Sequence, residues 1–365
     1  MFSGAILFGG SFRATDSGGD PEGSEQGDAT WRIDLSKLAV QTEADLAYFG
    51  ISFSGDETLV VGAARPVRRA EGPVPRDLRA FVVDAHTGRI LGTRVWPNVL
   101  ASRLALVATQ NGNFAVRDGW ELAAYSAQLE ELKRIPLPEA RQKIFEEWKV
   151  FATPEGSLIV TAHVIGPKIS IQWLQPETLA VQRSWELAEE IPRAKVFPHL
   201  SPSSHGVAVS WNGPTGCDVS VQDAPTSWHA VLHDKRPCSG GVQYLNDETL
   251  FVSLKGEFQL LSMEGKLLRR EVLQNGERAL HSVSISAEGG RFAVPISKFE
   301  GGVDLLDIAP HEVLERIEIR DSQTGQPLHT IKGKLKNVSG FALSPEGLRL
   351  TLLRGKIVEL LQLPP

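Results

Sequence analysis

Two stretches of this sequence concentrate charge of opposite sign. Arg65, Arg68, Arg69, Arg76 and Arg79 lie within "RPVRRAEGPVPRDLR", opposed only by Glu71 and Asp77. Glu300, Asp304, Asp307, Glu312 and Glu315 lie within "SKFEGGVDLLDIAPHEVLER", opposed by Lys298 and Arg316. Local surpluses of opposite sign steer and orient a polar partner; they do not by themselves make or break bonds. Signatures of bond-making chemistry are missing. There is no G-x-S-x-G elbow, Walker loop or H-E-x-x-H pair. His229 and His233 in "HAVLH" have a spacing that metal sites use, but no third ligand is evident. They read as solvated surface, as do His199 and His205 on either side of a turn. The acids of "GGVDLLDIAPHE" lack the ordered spacing of a calcium loop. No catalytic residue and no metal ligand emerges.

What must position these residues is a repeat. "ISFSGDETLVV" (Ile51–Val61), "FATPEGSLIV" (Phe151–Val160), "HLSPSSHGVAVS" (His199–Ser210), "QYLNDETLFV" (Gln243–Val252), "ISAEGGRFAV" (Ile285–Val294) and "GFALSPEGLRLTLL" (Gly340–Leu353) share one pattern. "LVATQNGNFAV" (Leu106–Val116) is a weaker seventh copy. Each alternates apolar and polar residues on both sides of a short turn, which predicts a hairpin of half-buried strands. A second hairpin follows in every unit. Two of these, "FVVDAHTGRILGTRV" and "IEIRDSQTGQPLHTI", turn on Asp-x-x-Thr-Gly, where Gly accepts positive φ and Asp bonds turn amides. Units recurring every 40 to 60 residues or so match the period of propeller blades.

The blades resemble those of YVTN-type and WD-repeat-like seven-bladed propellers, in particular the bacterial kind with "SPDG…DxxTG" turns. The resemblance runs from about Trp31 to Leu363. It implies an all-β fold, a seven-bladed β-propeller of four-stranded antiparallel blades. A pair of β-sandwiches also alternates short strands with turns, but the recurrence of one turn motif argues against it. "VVDAHTG" is also similar to part of the tryptophan-docking motif of quinoprotein dehydrogenases, A-x-D-x-x-T-G-K-x-x-W. The match departs at Gly92, where that family places its Trp, and there is no adjacent Cys pair. No cofactor is therefore expected, and Asp84, Thr87 and Gly88 read as turn formers. Trp31, Trp96, Trp120, Trp173, Trp185, Trp211 and Trp228 fall in or beside expected strands and read as blade packing. Trp148 stands apart in a charged connector, "EARQKIFEEWKV".

The last unit supplies only three strands, about Val338–Leu343, Leu348–Leu353 and Lys356–Gln362. "TWRIDL" at Thr30–Leu35 is the expected fourth, closing the ring. In a blade with strands a to d, the b–c and d–a connections emerge on one face. The a–b and c–d turns are uniformly tight, whereas the b–c connections of blades one (Arg65–Arg79) and six (Ser297–Arg316) are long. Blade seven, between them, has only Arg354-Gly355 there. The expected site is a notch with two oppositely charged walls, lined by Arg65, Arg68, Arg69, Arg76, Arg79, Glu300, Asp304, Asp307, Glu312 and Arg354. The blander reading is of solvated loops. Cys217 and Cys238 fall on that same face of neighbouring blades, a geometry that permits a disulfide.

Composition sets the outer limits. With 38 basic against 44 acidic residues there is no basic bias for nucleic acid, and no apolar run approaches a membrane span. Met1–Phe12 reads either as the tail of an export signal or as a frayed start, followed by an acidic, Gly-rich linker. The expected organisation is residues 1–29 outside the fold and 30–365 as one propeller. The expected function is a non-catalytic, monomeric interaction module, secreted or periplasmic, binding a protein or polymer through its loop-rich face. The alternative is a propeller enzyme at the channel mouth, lactonase-like or, less in keeping with the motifs, quinoprotein-like. Arg- and His-bearing inner strands around an open channel favour the enzyme; a plugged or apolar channel favours the interaction module.

Overall fold

The computed structural model describes residues 29–38, 49–66, 75–100, 104–109, 112–137, 146–165, 168–187, 199–225, 227–274, 276–280, 283–288, 290–300, 311–332, 335 and 338–365. The expected N-terminal segment and linker lie outside these residues, as do Arg68, Arg69, Asp304 and Asp307. After β1 (Ala29–Asp34) and a short 3-10 turn (Leu35–Leu38), the strands group into seven antiparallel sheets. Blade one is β2 (Phe49–Phe53), β3 (Thr58–Pro66), β4 (Pro75–Asp84) and β5 (Ile90–Leu100). Blade two is β6 (Leu104–Ala108), β7 (Phe114–Asp118), β8 (Glu121–Tyr125) and β9 (Glu131–Pro136). Blade three is β10 (Glu146–Ala152), β11 (Ile159–Ile165), β12 (Lys168–Leu174) and β13 (Val181–Glu186). Blade four is β14 (His199–Pro202), β15 (Val207–Gly213), β16 (Gly216–Ala224) and β17 (Ser227–Asp234). Blade five is β18 (Cys238–Tyr244), β19 (Thr249–Leu254), β20 (Glu257–Ser262) and β21 (Leu267–Val272). Blade six splits its inner strand into β22 (Glu277–Ala279) and β23 (Ser284–Ile285), followed by β24 (Arg291–Glu300), β25 (His311–Asp321) and β26 (Pro327–Lys332). Blade seven is β27 (Val338–Leu343), β28 (Arg349–Arg354) and β29 (Ile357–Gln362), with β1 as its outer strand. The expected seven-bladed propeller is the fold.

Alternation along the strands explains why blades stack. In β4, Leu78, Ala80 and Val82 pack toward blade two, while Phe81 and Val83 pack toward blade seven. Both faces of every blade are buried in this way, so each of the seven interfaces has its own apolar cluster. Trp148 belongs to this scheme. It lies in inner strand β10, not in a connector, and stacks on His163 with ring centres 4.1 Å apart. Its charged neighbours Glu146 and Glu147 are strand residues too.

The recurring turn has one chemistry. Ser54, Thr109, Thr153, Ser203, Leu245, Ser286 and Ser344 each donate their backbone N–H across the a–b turn of their own blade. Six of the seven are hydroxyl residues and all six are buried. The Ser286 and Ser344 hydroxyls accept the amides of Arg291 and Arg349, both at 3.0 Å. The second hairpins behave as their motif implies. Asp84 Oδ1 accepts the amides of His86 (3.0 Å) and Thr87 (2.9 Å), and Asp321 Oδ1 accepts those of Gln323 (3.1 Å) and Thr324 (2.6 Å). Gly88 and Gly325 follow at φ of 70° and 66°. The amide of Thr87, above all, holds the Asp84 carboxyl below its ordinary range.

Ring closure joins the two ends of the chain. β1 runs antiparallel to β29, from Ala29 opposite Leu361 to Asp34 opposite Ile357. Ile33 and Leu35 enter the cluster of Phe53, Leu59 and Phe81 between blades seven and one. The Trp31 indole donates to Ala85 O at 3.0 Å and lies so close to Gly88 that a Cβ there would come within 2.8 Å of the ring. Deleting Thr30–Leu35 removes this burial and leaves β29 as an open edge. Calorimetry is expected to show a melting temperature lower by about 10 °C or more; an unaltered transition would show that the strand contributes nothing to closure.

Candidate functional site

Five blades close strands b and c with two residues: Gly119-Trp120, 166–167, Pro214-Thr215, Lys255-Gly256 and Gly355-Lys356. Blades one and six do not. What the sequence suggests are loops are, for much of their length, paired ribbons. In blade one the ladder continues through Ala63 opposite Arg79, Ala64 opposite Leu78, Arg65 opposite Asp77 and Pro66 opposite Arg76. Strand β5 covers this ribbon as far as Pro75 opposite Leu100. In blade six the pairing runs through Ser297 opposite Leu314, Phe299 opposite Glu312 and Glu300 opposite His311. Arg65, Arg76, Arg79, Glu300 and Glu312 are therefore strand residues rather than loop residues. Hydrogen-bonded strands hold their shape in a way that free loops do not, so the described ends of the two stretches are held in place.

The bases of the walls are tied into the blades. Leu78 is a buried core residue, and Arg79 Nη1 donates to Leu38 O at 3.3 Å. A bulge leaves Glu315 unpaired in β25, and Leu314 packs against the cluster between blades six and seven. Arg316 is not available to a partner. Its Nη1 and Nη2 donate to Glu277 Oε1 and Oε2 at 2.5 and 3.1 Å, and its Nε donates to Glu318 Oε1 at 2.6 Å. Glu318 also accepts from Arg320, which in turn reaches Glu271 of blade five. The Arg316 hydrogen bonds hold the Glu277 carboxyl below the ordinary glutamate range. With Arg316 consumed in this network, the second wall loses one of the two cations that the sequence sets against its acids.

The floor is blade seven. Glu359, almost fully buried, accepts Arg32 Nε at 3.1 Å and lies 3.6 Å from Arg354 Nη2. Arg354 thus ends β28 with a buried carboxylate beside it. Ile357 beside it is exposed. The two cysteines occupy the same face at blades four and five. Their sulfurs are at bonding distance, and Asn212 accepts the Cys238 amide at 2.6 Å. The paired histidines part company. His229 Nε2 lies 3.0 Å from Met263 O, and His233 Nδ1 lies 2.7 Å from Asp218 Oδ1.

Sequence reading overlooked the inner strands. Lys149 in β10, His199 in β14 and Arg278 in β22 lie near the d–a end of the channel. Burial, with the Lys149 charge nearby, pushes the His199 imidazole below its ordinary value. For Lys149 and His199 the signal was available, since each sits four residues before the residue that opens its turn, Thr153 and Ser203.

Fold and site together define a seven-bladed β-propeller with two ribbons standing on one face. No protein-family model matches the chain, and no curated protein matches it in sequence. The likeness to YVTN-type and WD-repeat-like blades thus rests on the turn motifs alone.

Two outcomes follow from these contacts. Arg316→Met strands the nearly buried Glu277, while Glu318 keeps Arg320, and should cost roughly 3–5 kcal/mol of stability at neutral pH. Because the Glu277 pKa is depressed in the folded state, its contribution is present above the unfolded value and lost as pH falls from about 5. Chemical denaturation of Arg316→Met is thus expected to show a flatter pH dependence across that window than the wild type; equal slopes would discount the ion pair. Intact mass should rise by two hydrogens on reduction, and no change would mean that Cys217 and Cys238 are not bonded.

Proposed function

We propose that this propeller is a non-catalytic interaction module, binding a protein or polymer partner in the notch between the ribbons of blades one and six. One observation carries the reading: five blades close with two-residue turns, while the two blades flanking blade seven extend paired strands beyond them. Paired strands lose little conformational entropy when a partner is seated, which favours binding. Charges of opposite sign on the two stretches would fix the partner's orientation more than its affinity. The disulfide geometry supports placing the module in an oxidising compartment, secreted or periplasmic. The blades still resemble the YVTN-type and WD-repeat-like kind through their turns, and the module is expected to act as a monomer.

The enzyme reading, a lactonase-like hydrolase at the channel mouth, would draw on Lys149, His199 and Arg278. Among the described inner-strand side chains the one carboxylate is Glu277, and Arg316 holds it.

The test is a pull-down from the native source with two forms of the protein. One is intact; in the other, residues 66–76 and 300–311 are replaced by two-residue turns. This trimming keeps Leu78, Ser297 and Arg316, and it copies the closure of the other blades. A partner retained by the first and lost by the second is the expected result. A partner retained by both, or by neither, would remove the notch as the binding site.

A further inference from the structure

Blades four and five are joined by Lys235, Arg236 and Pro237, between β17 and β18. This connection is pinned along its length. Arg236 O accepts the Cys217 amide at 2.9 Å, and Pro237 O accepts that of Lys255 at 3.1 Å. The Arg236 guanidinium donates to both oxygens of Asp234, at 2.9 and 2.6 Å, and pairs with the buried Glu257. None of these bonds draws on the residues after Pro237.

Beyond Pro237 the chain changes character. Cys238 lies opposite Leu254 and Gly241 opposite Ser253, so Ser239 and Gly240 have no place in the ladder. Gly241 holds a φ of 82°, and a Cβ there would come within 2.7 Å of His199. Adjacent glycines at a bulge leave the start of β18 with little stiffness of its own. Side chains hold it instead. Ser239 Oγ lies 2.7 Å from Ser253 Oγ. Asn212 of blade four accepts the Cys238 amide at 2.6 Å and donates to Cys238 O at 3.2 Å, both at the surface. The covalent tie is the bond from Cys238 to Cys217.

The two sulfurs are not equally open. Cys217 is fully buried, packed with Ala208, Val219 and Leu254, whereas Cys238 is half-buried. Thiol–disulfide exchange begins with a thiolate reaching one of the two sulfurs, so access decides which is attacked. Cys238 is the one within reach.

We propose that the Cys217–Cys238 bond is a redox latch on the start of β18, opened by a dithiol that attacks Cys238. A thiolate of the dithiol bonds to Cys238 Sγ, the S–S bond breaks, and Cys217 leaves with the electron pair and takes up a proton. The second thiol then displaces Cys238, which is protonated in turn, and the dithiol ends as a disulfide. The protein gains two hydrogens and the dithiol loses two. With the latch open, Cys238–Gly241 has hydrogen bonds but no covalent tie to blade four, and it opens locally. The pinned connection before it confines the change, and His199, packed against Gly241, senses it. The latch is independent of the ribbons of blades one and six.

The experiment compares the oxidised full chain with the same chain in excess dithiothreitol, with reduction followed by intact mass. Hydrogen exchange over residues 238–244 should quicken about tenfold or more on reduction, while the rest of blade five holds its rates. The imidazole resonance of His199, assigned with His199→Gln, should shift, and reoxidation should restore both readings. Cys217→Ala should show the quickened exchange without dithiol, and its Cys238 should take up a maleimide. Folded Cys238→Ala should leave Cys217 unlabelled. Unchanged exchange over 238–244 after complete reduction would overturn the latch, as would a mass that dithiothreitol does not change. Exchange quickened throughout blades four and five, or a Cys217→Ala chain that does not fold, would overturn it too, because the bond would then be a structural staple. Labelling of Cys217 in preference to Cys238 would overturn the point of attack.

Discussion

A propeller holds together only if its first and last blades meet, and here one short strand makes them meet. β1 brings the start of the described chain to the outer edge of β29, so blade seven is built from both ends of the sequence. The clasp is more than a ladder of backbone bonds. Ile33 and Leu35 go into the core of the next interface, Trp31 locks onto the c–d turn of blade one, and Arg32 answers the buried Glu359. Blade seven is thereby tied to blade one across the seam by apolar burial and by the Trp31 hydrogen bond. Without closure, each remaining interface would still be apolar, but β2 and β27 would not be held against one another and two blade faces would be left wet.

Around the ring, neighbouring blades are joined by bonds of a shared type rather than by one repeated pair. The Ser201 and Ser284 hydroxyls accept the amides of Tyr244 and Leu343 in the next inner strand, both near 2.8–2.9 Å. Trp173 donates to Ser203 O at 2.7 Å, and the buried Arg117 donates to Trp148 O at 2.6 Å. Blades four and five add the cysteine pair. Such bonds satisfy polar groups that the interfaces bury, which matters more than their net energy. Apolar area supplies the adhesion, and these contacts set the angle at which each blade meets the next.

Much of this was legible because the turns carry their own chemistry. A buried hydroxyl before Pro/Asp-Gly, or an Asp three residues before Thr-Gly, specifies a hairpin locally, and seven such hairpins admit few arrangements. The outer strand Thr30–Leu35 was legible for the same reason: one blade lacked a partner and one segment lacked a blade. Three features were not legible. Whether a charged, Pro-rich stretch such as "RPVRRAEGPVPRDLR" is loop or ribbon depends on cross-strand pairing that no local signal encodes, so from sequence Arg65, Arg76 and Arg79 read as loop residues. Trp148 was hidden by Glu146 and Glu147, whose charges belong to a strand end near the channel mouth. The role of Arg316 was hidden because its partner Glu277 lies on another strand of the sheet. In each case the missing information is long-range pairing, which propensity does not contain.

The inner strands show how one repeat acquires individuality. Four described blades carry Gly or Ala at one level of the inner strand, and at Gly241 and Gly340 a Cβ would crowd His199 and Ile51 of the neighbouring blade. Blades three and four depart from it with Lys149 and His199, while one residue further along every blade places an apolar residue, Ile51, Leu106, Val150, Leu200, Val242, Val283 and Phe341, against an inter-blade cluster. The ribbons of blades one and six rise from the d–a side as well, and the cysteine pair lies on it. Departures from the repeat thus accumulate on one face, while the opposite face keeps the uniform tight turns that define the fold. A repeat protein is free to vary only where its turns do not have to satisfy the next blade. In this chain that freedom lies at the b–c connections and at the channel mouth. Those are the places where charge departs from the pattern, and the reading of the molecule as a binding device rests on that asymmetry.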